Sequence, residues 1–124
     1  MSTVLIVDDI SLNRLLLERI LQPRGFTTLS ACGGQEGVEL ARQHKPSLIL
    51  MDIQMPDISG YDALAILRAD KETSNIPVMA VTGNATEGDR GKLANAGFNA
   101  ALLKPFNIAE LLKHVSALIH PSAS

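Results

Sequence analysis

Asp8, Asp9, Asp52, Thr82 and Lys104 are the side chains whose types and spacing point to chemistry. Each comes directly after a short apolar run: Asp8 and Asp9 after Val4–Val7, Asp52 after Leu48–Met51, Thr82 after Val78–Val81 and Lys104 after Ala100–Leu103. Singly they have plain readings, because an Asp pair after a strand is commonly a solvated turn or a helix cap and a Lys before Pro is commonly surface. If the four runs are strands of one sheet, however, three carboxylates, a hydroxyl and an ammonium meet on one rim. Clustered carboxylates repel one another and raise their own pKa values unless a cation sits among them. A hard divalent ion suits such a set, and Mg²⁺ in particular takes few carboxylates together with waters and phosphate oxygens. Roughly -3 from the aspartates, +2 from the ion and +1 from Lys104 sum near zero. A phosphoryl group would add negative charge that the ion, Lys104, Thr82 and backbone N–H groups can share, and a carboxylate can accept it as an aspartyl phosphate.

The elements that must hold this rim are legible in the hydropathy pattern. The four runs are continuously apolar, as strands buried on both faces are, whereas half-wet strands alternate. Phe26–Ala31 is a weaker fifth strand, nearer an edge. Helical patterns lie between, the clearest being Leu111, Leu112, Val115, Leu118 and Ile119 on one i, i+3, i+4 stripe. Pro23 and Gly25 end the first helix, and Pro46 separates the second from strand three. Ser59 before Asp62, and Asn107 before Glu110, read as helix caps with an acid in the first turn. Strand–helix repeated five times predicts right-handed crossovers and a parallel sheet covered on both faces, with ligands at the carboxyl ends of the strands.

Four segments carry a specific resemblance: Asp8-Asp9, Met51-Asp52-Ile53-Gln54-Met55-Pro56-Asp57-Ile58-Ser59-Gly60, Val81-Thr82-Gly83 and Leu103-Lys104-Pro105-Phe106. In order and spacing they resemble the response-regulator receiver domain, the CheY-like family of two-component signalling, over about Thr3 to Ile119. The resemblance implies a flavodoxin-like, doubly wound (βα)5 fold with a parallel five-stranded sheet of order 2-1-3-4-5. It implies that Asp52 accepts a phosphoryl group from a phosphohistidine on a sensor histidine kinase or histidine phosphotransfer protein. Asp9 is then expected to bind Mg²⁺ directly and Asp8 mainly through water, with Asp52 and the backbone carbonyl of Gln54 completing the protein ligands. Thr82 and Lys104 are expected to contact the phosphoryl oxygens, with Lys104-Pro105 a cis peptide that aims the lysine. Such a domain catalyses its own phosphorylation and slow autodephosphorylation, a switch more than a conventional enzyme.

One position departs from the family pattern. Many receivers carry Tyr or Phe three residues before the lysine; here that position is Ala101. The switch is therefore expected to work through backbone and helix shifts between Thr82 and Asn95, where Gly88 and Gly91 each cost a helix about 1 kcal/mol relative to alanine. Gln54 and Asn84, two residues beyond Asp52 and Thr82, are expected to tune phosphate lifetime without carrying protons. Gly33-Gly34 with Gly37 lacks the Gly-Lys-Ser/Thr ending of a phosphate loop and reads as helix capping. His44, His114 and His120 share no metal spacing and read as surface. Cys32 reads as a small packed hydrophobe, Arg68, Arg90 and Lys92 as solvated helix charges, and Met51, Met55 and Met79 as packing.

Composition bounds the rest. A chain of 124 residues is below the roughly 150 that serve as a prior for one domain, so one receiver domain over residues 1–120 with a flexible tail at 121–124 is expected. Hydrophobic residues at 46% and a mean hydropathy of +0.16 suffice for a core. Eleven basic against thirteen acidic side chains leave a net charge of -2, which argues against a nucleic-acid or polybasic membrane surface. One cysteine excludes an internal disulfide and a multi-thiolate zinc site, and no uncharged stretch approaches the roughly 18 residues of a membrane span. A cytoplasmic protein is expected, either monomeric or a weak phosphorylation-dependent dimer. No effector domain fits within 124 residues, so either a stand-alone receiver or a piece of a longer regulator or hybrid kinase is expected, with the start at Met1 slightly favouring stand-alone or N-terminal placement. Its unknown downstream target is then met on the face of helix four, strand five and helix five. Two other readings stay open: a receiver-fold interaction module independent of phosphorylation, and an aspartyl-phosphate phosphatase. The phosphatase wants a second Asp two residues after the nucleophile, where this chain has Gln54. A flavin-binding electron carrier wants flanking aromatics, and aromatic content is 3%.

Overall fold

Successive residues of the first strand, β1 (Thr3–Val7), point into two different cores. Val4 and Ile6 pack with Leu17, Ile20 and Leu21, while Leu5 and Val7 pack with Val38, Ala41 and Leu64. Both sets are essentially buried, so this strand has helices on each side, as its unbroken apolar run requires. In the computed structural model, which describes residues 2–83 and 89–119, α1 (Ser11–Leu21) follows β1, then one 3-10 turn (Gln22–Arg24) and β2 (Thr27–Ala31). After them come α2 (Gly34–His44), β3 (Leu48–Met51), α3 (Gly60–Ala69), β4 (Val78–Thr82), α4 (Asp89–Ala96), β5 (Ala100–Leu103) and α5 (Ile108–Ile119). All strand pairs are parallel and the order is β2-β1-β3-β4-β5, the flavodoxin-like arrangement. The α1 and α5 side chains fill one core, and those of α2, α3 and Leu93 of α4 fill the other.

The caps behave as their chemistry demands. Ser59 Oγ accepts from the Asp62 N–H at 3.1 Å, and Asn107 Oδ1 accepts from the Glu110 N–H at 2.6 Å. Gly25, at φ 92°, takes the left-handed conformation that stops the first helical segment, with Pro23 inside the 3-10 turn before it. The left-handed residue closing α2 is Lys45, at φ 46°, ahead of a buried Pro46. Leu111 and Val115 anchor the α5 stripe, with Leu112, Leu118 and Ile119 packed partly around them. Met51 and Met79 are fully buried, and Met55 packs against the α2–α3 core.

Some sequence expectations need correction. Ala100–Leu103 is not buried on both faces: β5 is the second edge of the sheet, and only Leu102 is fully covered. Cys32 is exposed, because it stands in the bend between β2 and α2, beyond the last strand residue, and not in a core-facing position. Arg68 is not a solvated charge; it donates to the carbonyls of Ser74, Ile76 and Gly97 and to Asn99 Oδ1, pinning the end of α3 to two loops. Lys92 is exposed on α4, as a solvated helix charge should be, and lies 5.1 Å from the centroid of the Tyr61 ring, which Phe98 meets edge-on. His44 is exposed at the end of α2, whereas His114 is half-buried within α5, 4.0 Å from Glu110. Asn84, Gly88, His120 and the 121–124 tail lie outside the described residues, as does the Arg90 side chain. No helix among the described residues is long and apolar enough to cross a membrane.

Candidate functional site

Parallel registers carry the expected residues to one end of the sheet. Val7 stands beside Met51 and Thr82 beside Leu103, so the residues just beyond them emerge together at the carboxyl rim. Backbone bonds run past the strand ends and fix that rim: Asp8 N–H donates to Ala31 O at 3.1 Å, Asp52 N–H to Val7 O at 2.9 Å and Lys104 N–H to Thr82 O at 2.9 Å. Asp8, Asp52 and Thr82 are buried, whereas Asp9 is exposed. One carboxylate oxygen from each of Asp8, Asp9 and Asp52 lies within 4.8 Å of the others.

Lys104 reaches into this group from the end of β5, at the cis Lys104–Pro105 bond. Its Nζ is 3.3 Å from Asp8 Oδ2 and 3.9 Å from Asp52 Oδ2. Asp8 is further held by the Ile10 N–H on Oδ1 at 2.9 Å and by Asn13 Nδ2 on Oδ2 at 3.3 Å, and Arg14 donates to its carbonyl at 2.7 Å. Asn13 and Arg14 carry no motif of their own; the one signal for them in the sequence is their place on the first turns after the acidic pair. Asp52 Oδ1 accepts from its neighbours' backbone, at 2.7 Å from Ile53 and 3.4 Å from Gln54.

Burial is the largest influence on Asp52 and pushes its pKa above the ordinary carboxylate value. The Lys104 ammonium opposes that rise, Asp8 adds to it, and the Ile53 and Gln54 N–H groups pull it back. Asp52 is thus disfavoured as a carboxylate by desolvation and, to a smaller extent, by the neighbouring Asp8 charge. Its donors are hard carboxylate oxygens, the kind Mg²⁺ takes, so the residues present fit such an ion.

The backbone beneath Asp52 is tightly built. A Cβ on Gly60 would lie 2.5 Å from the Asp52 carbonyl and 2.9 Å from Ile53 Cα, both rigid backbone atoms. The Gly60 N–H donates to Ile53 O at 2.7 Å across the same approach. Gly60→Ala is therefore expected to destabilise the fold by about 1–3 kcal/mol through overpacking, seen as a lower urea midpoint at unchanged slope. An unaltered midpoint would contradict the close approach.

Away from the rim, Ala101 is half-buried and lines a cavity of about 130 Å³ with Leu93, Ala94, Phe98, Asn99 and Ala100, where an aromatic at position 101 would stand. The large apolar side chains exposed among the described residues are Ile10, Leu12, Leu15 and Leu16, on and just before α1, and Ile108 at the start of α5. Leu16 and Ile108 line a cleft of about 400 Å³ that reaches Lys104 and Phe106. The sequence holds a signal for this surface, since Leu12, Leu15, Leu16, Leu17, Ile20 and Leu21 give α1 more apolar residues than one buried face can use.

The model of the response regulator receiver domain matches residues 4–116. The chain belongs to that family, the CheY-like switch modules of two-component signalling. Among its relatives is the polar-differentiation response regulator DivK of Brucella anthropi, 36% identical over 117 residues that cover 94% of this chain and 95% of DivK. The receiver domain of sensor histidine kinase PA1611 from Pseudomonas aeruginosa superposes with a TM-score of 0.87 at 33% identity, covering 95% of this chain and 97% of that one; its structure holds a magnesium ion coordinated in the active-site cleft. The chemotaxis protein CheY4 of Vibrio cholerae superposes with a TM-score of 0.87 at 26% identity, over 95% of this chain and 98% of that one. Receiver domains interact with histidine kinases or phosphotransfer proteins.

Proposed function

We propose that Asp52 is the phosphoacceptor of this receiver and takes its phosphoryl group from a phosphohistidine on a sensor kinase or phosphotransfer protein. The observation that carries this is the placement of a buried Asp52 carboxylate beside both Lys104 at 3.9 Å and the Asp8–Asp9 oxygens within 4.8 Å. An Asp52 oxygen attacks phosphorus as the phosphorus–nitrogen bond breaks, and the departing imidazole keeps the bonding electron pair. Asp9, Asp52 and the Gln54 carbonyl, with Asp8 mainly through water, would hold Mg²⁺, which would supply the positive charge that the carboxylates and the incoming group require. Lys104 gives its ammonium to a phosphoryl oxygen, and the Thr82 hydroxyl donates to another. By the same geometry the domain assists its own phosphorylation and slow dephosphorylation.

The exposed apolar α1 surface supports a protein as donor. It adjoins the lysine end of the site through the cleft lined by Leu16, Lys104, Phe106 and Ile108, so a partner resting there lies beside Lys104. The output surface is the α4–β5–α5 face, on which Ala101 lines a cavity with Leu93 and Ala94 of α4.

Incubation with Mg²⁺ and acetyl phosphate, followed by intact mass, tests the reading. One added phosphoryl group, absent after chelation, is the expected result. An unchanged mass favours a phosphorylation-independent module, and turnover of phosphomonoesters without a labelled protein favours a phosphatase. Mg²⁺ at 100 times its dissociation constant is also expected to stabilise the fold by roughly 2.7 kcal/mol. A melting temperature that ignores a Mg²⁺ titration would contradict a metal-binding rim.

A further inference from the structure

The loop between β3 and α3, Asp52 to Ser59, carries the Gln54 carbonyl and is tied down on both sides of it. At the near end, Gly60 N–H holds Ile53 O at 2.7 Å. At the far end Asp57 reaches a different element altogether. Its Oδ1 accepts from the Gly34 N–H at 3.1 Å and its Oδ2 from the Gln35 N–H at 2.8 Å, so one carboxylate caps the first turn of α2 from a distance of more than twenty residues in sequence. These backbone donors, Gln35 foremost, hold the Asp57 carboxyl below its ordinary pKa.

The seat for this loop is made by the glycine pair that opens α2. A Cβ on Gly33 would lie 2.9 Å from both Asp57 carboxylate oxygens, and one on Gly34 would lie 2.5 Å from Ile58 Cγ1. Helix capping alone does not need two glycines here, since Gly33 has an extended backbone at φ -167° that any residue adopts. Close approach of a foreign loop does need them. Between the two ties lie Gln54, whose N–H reaches Asp52 Oδ1, Met55, which packs against the core, and Pro56, which has a fixed φ.

We infer that Asp57, seated on Gly33-Gly34, is a positioning residue that holds the Gln54 carbonyl in register for the divalent cation. The inference rests on the reading of Gln54 as a ligand. Without the two Asp57 hydrogen bonds to α2 the loop loses its polar anchor beyond Gln54, and the Gln54 carbonyl must be ordered when the ion arrives. The clamp thereby couples the ion site to α2, an element that gives the site no ligand.

The test measures Mg²⁺ affinity by calorimetry together with metal-free melting temperature, in wild type, Asp57→Ala and Gly33→Ala. Gly33→Ala displaces the carboxylate while leaving the protein's charge unchanged, so it separates positioning from loss of a negative charge near the ion. Both variants are expected to bind Mg²⁺ about three- to ten-fold more weakly than wild type, and Asp57→Glu to recover part of the loss. Wild-type affinity in Gly33→Ala, with or without a lowered melting temperature, would reduce Asp57 to a cap of α2 and overturn the inference. If Asp57→Ala does not fold, Gly33→Ala and Asp57→Glu decide it. A wild type that binds no Mg²⁺ at all would remove the metal reading itself, and the positioning role with it.

Discussion

Asp52→Asn is expected to take up no phosphoryl group from acetyl phosphate and, in metal-free buffer at neutral pH, to be more stable than the wild type. Loss of uptake results from replacing the attacking carboxylate by an amide. The gain in stability results from the raised pKa of Asp52, whose largest cause is burial. A carboxyl that binds its proton more tightly folded than unfolded favours the fold at low pH, and this contribution is lost as pH rises through the folded pKa. The amide has no such cost and can still accept the Ile53 N–H that reaches Asp52 Oδ1 at 2.7 Å. Thermal melts in chelator should therefore show a gap in favour of the variant near pH 7 that closes as the pH falls toward about 4, the ordinary Asp value. With Mg²⁺ present the order is expected to reverse. A gap independent of pH, or a variant less stable throughout, would contradict the account of a strained acidic rim.

Lys104→Ala should be the most damaging change outside Asp52. The ammonium is 3.3 Å from Asp8 and 3.9 Å from Asp52, and it is the leading influence that holds the Asp52 pKa down. Without it, the negative charge of the transferring phosphoryl group loses a preorganised partner, and the rate of phosphorylation by acetyl phosphate is expected to fall about 10²- to 10³-fold at saturating Mg²⁺. The Asp52 carboxyl also moves further up, so less of it is ionised at a given pH. A time course of intact mass checks both effects: the deficit should shrink somewhat at higher pH. A rate within twofold of wild type would place Lys104 outside the phosphoryl path.

The sheet was legible because its three central strands are unbroken apolar runs, a pattern only two covered faces explain. The site was legible because a parallel register brings the ends of neighbouring strands to one rim, so Asp8, Asp52, Thr82 and Lys104 needed only their distance from an apolar block. The edge position of β5 was hidden, since Ala-Ala-Leu-Leu reads as buried whether or not α4 covers it. Arg68 was hidden because its partners are carbonyls of Ser74, Ile76 and Gly97, which no sequence pattern marks. The Asp57 clamp was hidden for the same reason, its partners being backbone N–H groups on a remote helix. The apolar surface of α1 escaped because a helix with surplus leucines looks well buried until packing uses up only Leu17, Ile20 and Leu21.

The most direct measurement is chemical mapping of the labelled site. An acyl phosphate is reduced by borohydride, so tandem mass spectrometry of protein treated with acetyl phosphate and then borohydride reads the modified residue without ambiguity. Homoserine at position 52, formed with Mg²⁺ and absent under chelation, is the predicted result. Label on Asp8, Asp9 or Asp57 in its place, or uptake at position 52 that proceeds equally well without a divalent ion, would contradict it.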